Sequence, residues 1–248
     1  MSEWRSESLI VPDWPAPVRV RAISTTRRGG ISAPPYHGFN LAEHVGDDPA
    51  CVTENRRQLA VQARLPADPA WLEQVHGTDV VAAETMDCPV AADAAWTRAP
   101  GRPCVVMTAD CLPVLLCDRA GTVVAAAHGG WRGLVGGVIG ATVARMATPP
   151  TELLAWLGPA IGPTAFEVGE EVRSAFLALD SGCGDCFQPS PAGRWLADLY
   201  QLARRQLQSL GVPAVYGGGW CTFSEPERFF SYRREGRTGR MASLIWLV

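Results

Sequence analysis

Several features are missing from this sequence, and each absence excludes a class of protein. It has no run of about 18 apolar residues, the length that a membrane-spanning helix needs. Its first residues, MSEWRSESLIVPDWPAP, are acidic and interrupted by prolines, unlike the apolar segment of a secretory signal. Its 22 basic residues are outnumbered by 25 acidic ones, and they form no stripe suited to nucleic acid. We therefore expect a cytoplasmic protein with no membrane and no nucleic-acid partner.

Internal repeats and low-complexity tracts are also missing, so nothing divides the 248 residues into separate units. Hydrophobic residues make up 47% of the chain, which is enough for a sizeable core. Apolar runs typical of strands occur beside segments of helical spacing over residues 51–64, 168–179 and 195–210. These patterns predict an α/β (α+β) fold in one domain over residues 1–248, with a mixed multi-stranded β core flanked by helices. Residues 1–17 are predicted to form an extended N-terminal segment.

Histidine is scarce, with four residues, yet two of them stand in unusual settings. His76 in WLEQVHG, Cys111 in MTADCLP and His128 in AAAHGGWRG each lie at or just past the end of a strand-like stretch. WLEQV and DVVAA flank HGT, a pattern that predicts a hairpin with His76 at its tip. Because strand ends can gather side chains from distant sequence, we expect these three residues, the His₂Cys trio, to meet in one site.

The His₂Cys trio is compatible with three kinds of chemistry, which the residues alone leave open. Two imidazoles and a thiolate match a catalytic zinc site whose fourth position stays open for water or substrate. They also match a metal-free hydrolase in which histidine activates a cysteine nucleophile. The third reading is a non-catalytic, partner-binding protein whose zinc is purely structural. In either enzyme, Asp110 beside Cys111 is predicted to orient a histidine or to transfer protons.

Seven motifs, taken together and in order, resemble those of one family. They are TTRRGGIS, GFNLAEHVGDDP, WLEQVHGTDVV, MTADCLPVLL, AHGGWRG, AWLGPAIGPTAFEVGEEV and GGGWCTFSEPERFFSYRREGRTGR. The chain is similar in this way to the laccase-domain family from about residue 20 to its last residue. Members of that family were first described as multicopper polyphenol oxidases. They are now described as purine nucleoside phosphorylases with adenosine deaminase activity, and some as peptidoglycan-editing factors.

The resemblance implies a cofactor, an activity and partners. The metal-binding His, Cys and His of the family match His76, Cys111 and His128, which implies zinc, with copper binding in vitro as an alternative. It also implies phosphorolysis of adenosine, inosine and methylthioadenosine, with adenosine deamination as a second activity. The implied partners are a small-molecule nucleoside and phosphate, and no oligomeric state follows.

Phosphorolysis requires an anion site beside the sugar, and arginine is well suited to bind phosphate. The candidates are Arg27 in the TTRRGG loop, Arg132 after a glycine pair and Arg233 in the C-terminal basic cluster. Asn40 is a candidate for contacts with the ribose hydroxyls. Together with Asp110 and the His₂Cys trio, these residues form the predicted site.

Two activities associated with the family fit this sequence less well. A multicopper oxidase needs a type 1 copper and a trinuclear cluster, and four histidines are too few for both, so copper oxidase activity would be incidental. The zinc deaminase signature, HxE followed by PCxxC, is absent, so deamination would depend on another acid such as Asp110. A Cys-His hydrolase acting on an amide or a peptidoglycan precursor stays the alternative, because it uses the same residues.

Overall fold

The fold is described by a computed structural model over residues 7–191 and 193–248. The strands are β1 (Leu9–Ile10), β2 (Val20–Thr25), β3 (Leu72–Glu73), β4 (Val80–Ala82), β5 (Val90–Ala91), β6 (Ala94–Thr97), β7 (Cys104–Thr108), β8 (Leu112–Asp118), β9 (Val124–Gly129), β10 (Leu153–Leu157), β11 (Glu167–Val168), β12 (Phe187–Pro189), β13 (Trp195–Ala197), β14 (Ala214–Gly217) and β15 (Met241–Leu247). The α-helices are α1 (Pro49–Gln62), α2 (Trp131–Gly136), α3 (Val138–Met146), α4 (Glu170–Leu179), α5 (Leu199–Ser209) and α6 (Tyr232–Glu235). In these two described ranges, no helix is long and apolar enough to cross a membrane.

Two large β-sheets pack face to face through a shared apolar layer. The six-stranded sheet has the order β14–β10–β8–β9–β6–β4, and the four-stranded sheet has the order β1–β2–β15–β7. Side chains of both sheets fill the space between them, including Val106 of β7, Leu115 of β8 and Ile245 of β15. In β9, Ala126 points into this layer while Ala125 points to the outer face, and both are fully buried. Strand β9 is therefore covered on both sides.

Helices cover the outer faces of both sheets, which produces four layers. Helices α3, α4 and α5 pack on the six-stranded sheet through side chains such as Val143, Phe176 and Leu207. Helix α1 covers the four-stranded sheet, and Asp48 caps its first turn by accepting a hydrogen bond from the backbone nitrogen of Ala50 at 2.8 Å. This arrangement confirms the predicted α/β fold with a mixed β core flanked by helices.

Three local predictions need correction or restriction. The predicted hairpin at His76 is wrong, because β3 pairs with β5 while β4 pairs with β6, so the loop between them joins two different sheets. The helix predicted over 195–210 begins only at Leu199, after Asp198 caps it, and the preceding residues form β13. Of the predicted N-terminal segment, residues 1–6 lie outside the described residues, and β1 pairs with β2.

Candidate active site

The His₂Cys trio meets at one end of the two large sheets. Cys111 lies in the short link that carries the chain from β7 in one sheet to β8 in the other. His128 lies in β9 and is in register with Pro113 of β8, which places it beside the start of that strand. The loop between β3 and β4 brings in His76. The metal-binding atoms of the three side chains all lie within 4.8 Å of one another, which confirms that they converge.

A fully buried carboxylate, Asp93, fixes two members of the trio. Its Oδ1 accepts a hydrogen bond from the backbone nitrogen of His76 at 3.0 Å and lies 2.8 Å from Nδ1 of His128. Its Oδ2 accepts from the backbone nitrogens of Gly77 at 2.6 Å and Val75 at 3.2 Å. The φ angle of His76 is 59°, a left-handed conformation that a non-glycine residue keeps only when its surroundings hold it. Asp93 supplies that support and orients the His128 ring.

Sequence reasoning missed Asp93 and gave its orienting role to Asp110. The Asp110 carboxylate instead accepts hydrogen bonds from Thr222 Oγ1 at 2.6 Å and from the backbone nitrogen of Arg233 at 2.7 Å. The signal for Asp93 lies in AADAAW, because a carboxylate inside an apolar run must find hydrogen-bond partners when it is buried. Proton transfer by Asp110 stays a prediction.

Cys111 and His128 alter each other's ionisation. Burial raises the pKa of the Cys111 thiol, but the imidazoles of His128 and His76 outweigh this effect and lower that pKa to about 6. Burial lowers the pKa of His128, and the Cys111 thiolate and Asp93 outweigh it and raise that pKa to about 9. In Cys117 of β8, by contrast, burial raises the thiol pKa to about 12. Both shifts favour the thiolate and imidazolium form of the metal-free pair, and metal binding would displace the proton.

The donor set and the available space fit a zinc ion. Thiolate sulfur and imidazole nitrogen are common zinc ligands, and three of them leave one tetrahedral position open, as in catalytic sites. Gly130 keeps space beside the trio, since a Cβ there would lie 2.7 Å from Cδ2 of His76 and 3.3 Å from Sγ of Cys111. Over the described residues, no second cluster of metal-binding side chains accompanies the trio. The arrangement therefore suits one metal ion and does not suit a multicopper set.

The trio lines a cavity of about 540 Å³. One part of its wall is apolar and includes Met107, Ile161 and Phe166. Tyr232 also lines the cavity and is 59% exposed, so its ring lies at the mouth. A cleft of this volume with an apolar wall and a few converging polar groups is typical of a small-molecule site.

Two predicted substrate-binding residues do not line this cavity. Arg27 is buried, and its Nη1 lies 2.7 Å from a carboxylate oxygen of Glu235, while Nε and Nη2 donate to the backbone carbonyl oxygen of His37. Asn40 is fully buried and accepts a hydrogen bond from the backbone nitrogen of Arg240 at 2.9 Å. These contacts join separate loops, and they give no support to direct contact of Arg27 with phosphate or of Asn40 with ribose.

The other two predicted arginines have different positions. Arg132 is exposed and stacks on Trp131, with its Cζ 4.5 Å from the ring centroid, outside the cavity wall. Arg233 lines the cavity, and its role as a substrate ligand stays a prediction. Sequence reasoning missed two basic side chains of the wall, His44 and Arg240. Both lie in motifs that carry the family resemblance, GFNLAEHVGDDP and RREGRTGR, but the sequence does not show that the loop before α1 and the residue before β15 reach this cavity.

Comparison with known proteins reveals similarity along nearly the whole chain. A family model described as multi-copper polyphenol oxidoreductase laccase matches residues 21–248. A purine nucleoside phosphorylase of Pseudomonas aeruginosa is 58% identical, over 96% of this chain and 98% of that protein. Purine nucleoside phosphorylase YfiH of Escherichia coli is 56% identical, over 97% of this chain and 99% of its own.

Solved structures support the same relationship. A crystal structure of a Neisseria meningitidis protein has a TM-score of 0.94 at 52% identity and covers 97% of this chain and 99% of its own. YlmD from Geobacillus stearothermophilus has a TM-score of 0.89 at 30% identity, over 100% of this chain and 98% of its own. The similarity spans every element that contributes to the trio.

Proposed function

Because this chain belongs to the multi-copper polyphenol oxidoreductase laccase family, we propose that it is a zinc-dependent purine nucleoside phosphorylase, the activity for which its relatives are named. The observation that carries the proposal is the His₂Cys trio in the wall of a cavity of about 540 Å³ that two arginines also line. The proposed substrates are adenosine, inosine and methylthioadenosine, with phosphate as the acceptor. Adenosine deamination is proposed as a second activity, and copper oxidase activity as incidental.

Each residue of the trio has a defined part in this proposal. His76, Cys111 and His128 would hold zinc, whose positive charge would stabilise negative charge that develops on the substrate. Asp93 keeps the His128 ring in one orientation, and such a partner typically changes metal affinity by about 10–100-fold. The lowered pKa of Cys111 favours the thiolate, which is the form that binds a metal.

The cavity wall provides what phosphorolysis requires besides the metal. The reaction breaks the bond between ribose C1′ and the purine nitrogen and joins a phosphate oxygen to C1′, while the departing purine takes up a proton. Phe166 and Tyr232 offer aromatic rings against which a purine can stack. Ile161, which is only 1% exposed, adds an apolar surface that excludes water from the sugar. Arg233 is the predicted residue that can meet the phosphate.

Deamination needs a group that passes protons between water and the purine amino group. Asp110 is the carboxylate that lines the described cavity, so it is the proposed group for this second activity. Its two oxygens are already hydrogen-bonded to Thr222 and Arg233, which favours a slower reaction than phosphorolysis.

One observation favours a second candidate function, a metal-free cysteine hydrolase. Cys111, His128 and Asp93 stand in the order thiolate, imidazole and carboxylate, with Asp93 Oδ1 2.8 Å from Nδ1 of His128. This is the arrangement that activates a cysteine nucleophile toward an amide or a peptidoglycan precursor. His76 is left without a defined part in such a mechanism, although its Nε2 lies 3.8 Å from Sγ of Cys111. The zinc proposal uses all three side chains and is therefore preferred.

The substitution Cys111→Ala tests the proposed function. We expect zinc to fall from near one ion per chain to near none, and phosphate-dependent release of adenine from adenosine to fall on the order of 10³-fold. The measurements are metal content by mass spectrometry and chromatography of adenine, hypoxanthine and ribose 1-phosphate. Cys88→Ala is the control, because Cys88 is exposed and lies outside the cavity wall.

Chelation separates the two candidate functions. Removing zinc from the wild-type protein should abolish phosphorolysis, and adding zinc back should restore it. Activity on an amide substrate that survives chelation, with no purine product at any zinc level, would replace this proposal with the cysteine hydrolase. Phosphorolysis that persists in Cys111→Ala would contradict the assigned metal site.

A further inference from the structure

A pair of arginines on one side of the cavity has no assigned role in the metal site. Arg233 and Arg240 both line the cavity that contains the trio. Neither forms an ion pair with a carboxylate in the described part of the chain, unlike Arg27, which pairs with Glu235 at 2.7 Å. Asp110 lines the same cavity, but its carboxylate accepts hydrogen bonds from Thr222 Oγ1 and the backbone nitrogen of Arg233 and pairs with neither guanidinium. Two guanidinium groups at one cavity without a paired carboxylate favour an anionic ligand.

Each arginine is anchored by only part of its guanidinium. Arg240 donates from Nη1 to the carbonyl oxygens of Thr238 at 2.9 Å and Gly239 at 3.0 Å. Arg233 donates from Nη1 to the carbonyl oxygen of Glu167 at 2.8 Å. Over residues 7–191 and 193–248, no protein acceptor faces Nε or Nη2 of either side chain. Each guanidinium also lies over an aromatic ring of the wall, with Cζ of Arg233 5.4 Å from the Phe166 centroid and Cζ of Arg240 5.8 Å from that of Tyr232. Such stacking leaves the in-plane N–H donors available for the oxygens of a ligand.

Buried side chains fix the backbone of both arginines. Asn40 accepts a hydrogen bond from the backbone nitrogen of Arg240 at 2.9 Å, and Asp110 accepts one from that of Arg233 at 2.7 Å. Asn40 is fully buried, and Asp110 is 9% exposed. Because Asp110 directly precedes Cys111, the same residue joins the position of Arg233 to that of the trio. Asn40 and Asp110 thus act as positioning residues for the pair.

We propose that Arg233 and Arg240 form the phosphate subsite of the cavity, a role that rests on the proposed phosphorylase function. Arg240 is the central ligand and Arg233 the ligand at the mouth, because Arg240 is half-buried while Arg233 is exposed. Arg27 and Arg132 take no part. The subsite accepts the phosphate oxyanion whether it enters as inorganic phosphate or leaves as part of ribose 1-phosphate.

The surroundings of Arg240 agree with this role. Burial lowers the pKa of its guanidinium, while Cys111 and Asp110 raise it, and the lowering prevails. The charge is thus partly removed from water and gains from a bound anion. His44, whose pKa is lowered by burial and by Arg240, also lines the cavity and adds a neutral imidazole able to donate one hydrogen bond.

The test is to measure the binding of inorganic phosphate to the zinc-loaded protein by calorimetry, in the absence of nucleoside. Arg240→Gln should weaken phosphate binding roughly 10–100-fold, the value for losing a charge-assisted hydrogen bond, and Arg233→Gln somewhat less. In turnover, the KM for phosphate should rise while the KM for adenosine changes little. Arg132→Gln is the matched control, because Arg132 is exposed and outside the wall. Arg240→Lys should recover part of the binding if charge is what matters.

The outcomes separate the subsite from the proposed function. Phosphorolysis with an unchanged phosphate KM and unchanged phosphate binding in Arg240→Gln would overturn the subsite and leave the function standing. Phosphate binding that depends on Arg240, without any phosphorolysis, would keep the subsite and overturn the function. Equal losses in Arg132→Gln and Arg240→Gln would also overturn the subsite. Zinc content and the thermal midpoint of each variant verify that the site and the fold are intact.

Discussion

Beside each end of the β8–β9 hairpin, a buried aspartate gathers backbone amides from a neighbouring loop. At the closed end, Oδ1 of Asp118 accepts hydrogen bonds from the backbone nitrogens of Thr122 at 2.6 Å and Val123 at 3.1 Å. At the open end, Asp93 accepts them from the loop that carries His76 and also contacts the ring of His128. Both carboxylates accept hydrogen bonds from backbone nitrogens, but Asp118 closes a local turn and Asp93 makes tertiary contacts.

The two ends differ in how far apart their partners lie in sequence. Asp118 bonds to residues four and five positions away, so it closes a local turn and affects only the hairpin. Asp93 is 17 residues from His76 and 35 from His128, so it joins three separate segments. The site thus lies where the chain passes from one sheet to another, because long-range contacts there can hold reactive side chains together.

Among substitutions that compare the two ends of the hairpin, the largest effect is expected from Asp93→Asn. The amide retains one acceptor oxygen, but its NH₂ group faces either the backbone nitrogens of Val75 and Gly77 or the backbone nitrogen of His76 and Nδ1 of His128. The His76 loop and the His128 ring then lose a fixed orientation. We expect zinc affinity to fall by about 10–100-fold, with a parallel loss of phosphorolysis at limiting zinc. Competition with a chromophoric chelator measures the affinity.

Asp118→Asn is the matched control for this change, because the same substitution is made at the other end of the hairpin. Its zinc affinity should equal that of the wild-type protein. Equal affinities in both variants would contradict the assignment of Asp93 as the carboxylate that orients the metal ligands. Excess zinc should restore activity to Asp93→Asn if the defect is in metal binding alone.

The sequence was informative wherever a short motif combined reactive residues with a strand end. His76, Cys111 and His128 could be predicted to meet because each followed an apolar run whose end is fixed by local pattern. Asp93 and Arg240 could not be assigned in this way, because their partners come from distant segments. Their importance depends on pairings such as β6 with β9, which no local pattern specifies.

The fold class was predictable for a related reason, and the strand pairing was not. Apolar alternation indicates which segments are strands, but it leaves the choice of partner open. The residues around His76 match a hairpin turn, yet β3 and β4 find partners in β5 and β6. Arg27 and Arg233 have the same side chain, and the sequence does not distinguish them. Only the tertiary contacts show that Arg27 forms an ion pair with Glu235 while Arg233 lines the cavity.

A smaller effect at the open end is expected from Gly130→Ala. The backbone of Gly130, at φ −65° and ψ 153°, accepts alanine without strain. The substitution therefore acts only through the volume of the added methyl group. Its Cβ would lie 2.7 Å from Cδ2 of His76 and must displace that ring. We expect zinc affinity to fall by about tenfold while the fold stays intact. The chelator competition used for Asp93→Asn measures it.

The control for this variant is Gly140→Ala in helix α3. A Cβ at Gly140 would meet only Leu210, at 3.7 Å, which is an ordinary contact. Alanine inside a helix should raise the free energy of unfolding by about 0.5–1 kcal/mol and leave zinc affinity unchanged. Wild-type zinc affinity in Gly130→Ala would show that His76 can move aside without cost to the site.

The smallest effect is expected at the closed end, in the stability of Asp118→Asn. Burial raises the pKa of the Asp118 carboxyl, but bonds from Thr122 and Val123 outweigh it and leave that pKa below its usual value. The stabilisation, about 1 kcal/mol, is therefore present above the unfolded pKa of about 3.9 and is lost as pH falls through the lower folded pKa. Denaturant unfolding of both proteins between pH 7 and about pH 3 should show a difference that shrinks in acid. If this difference in the free energy of unfolding grew below pH 4, the protonated Asp118 would be the form that stabilises the turn. Asp118 and Asp93 would then differ in the sequence distance to their partners and not in the importance of their charge.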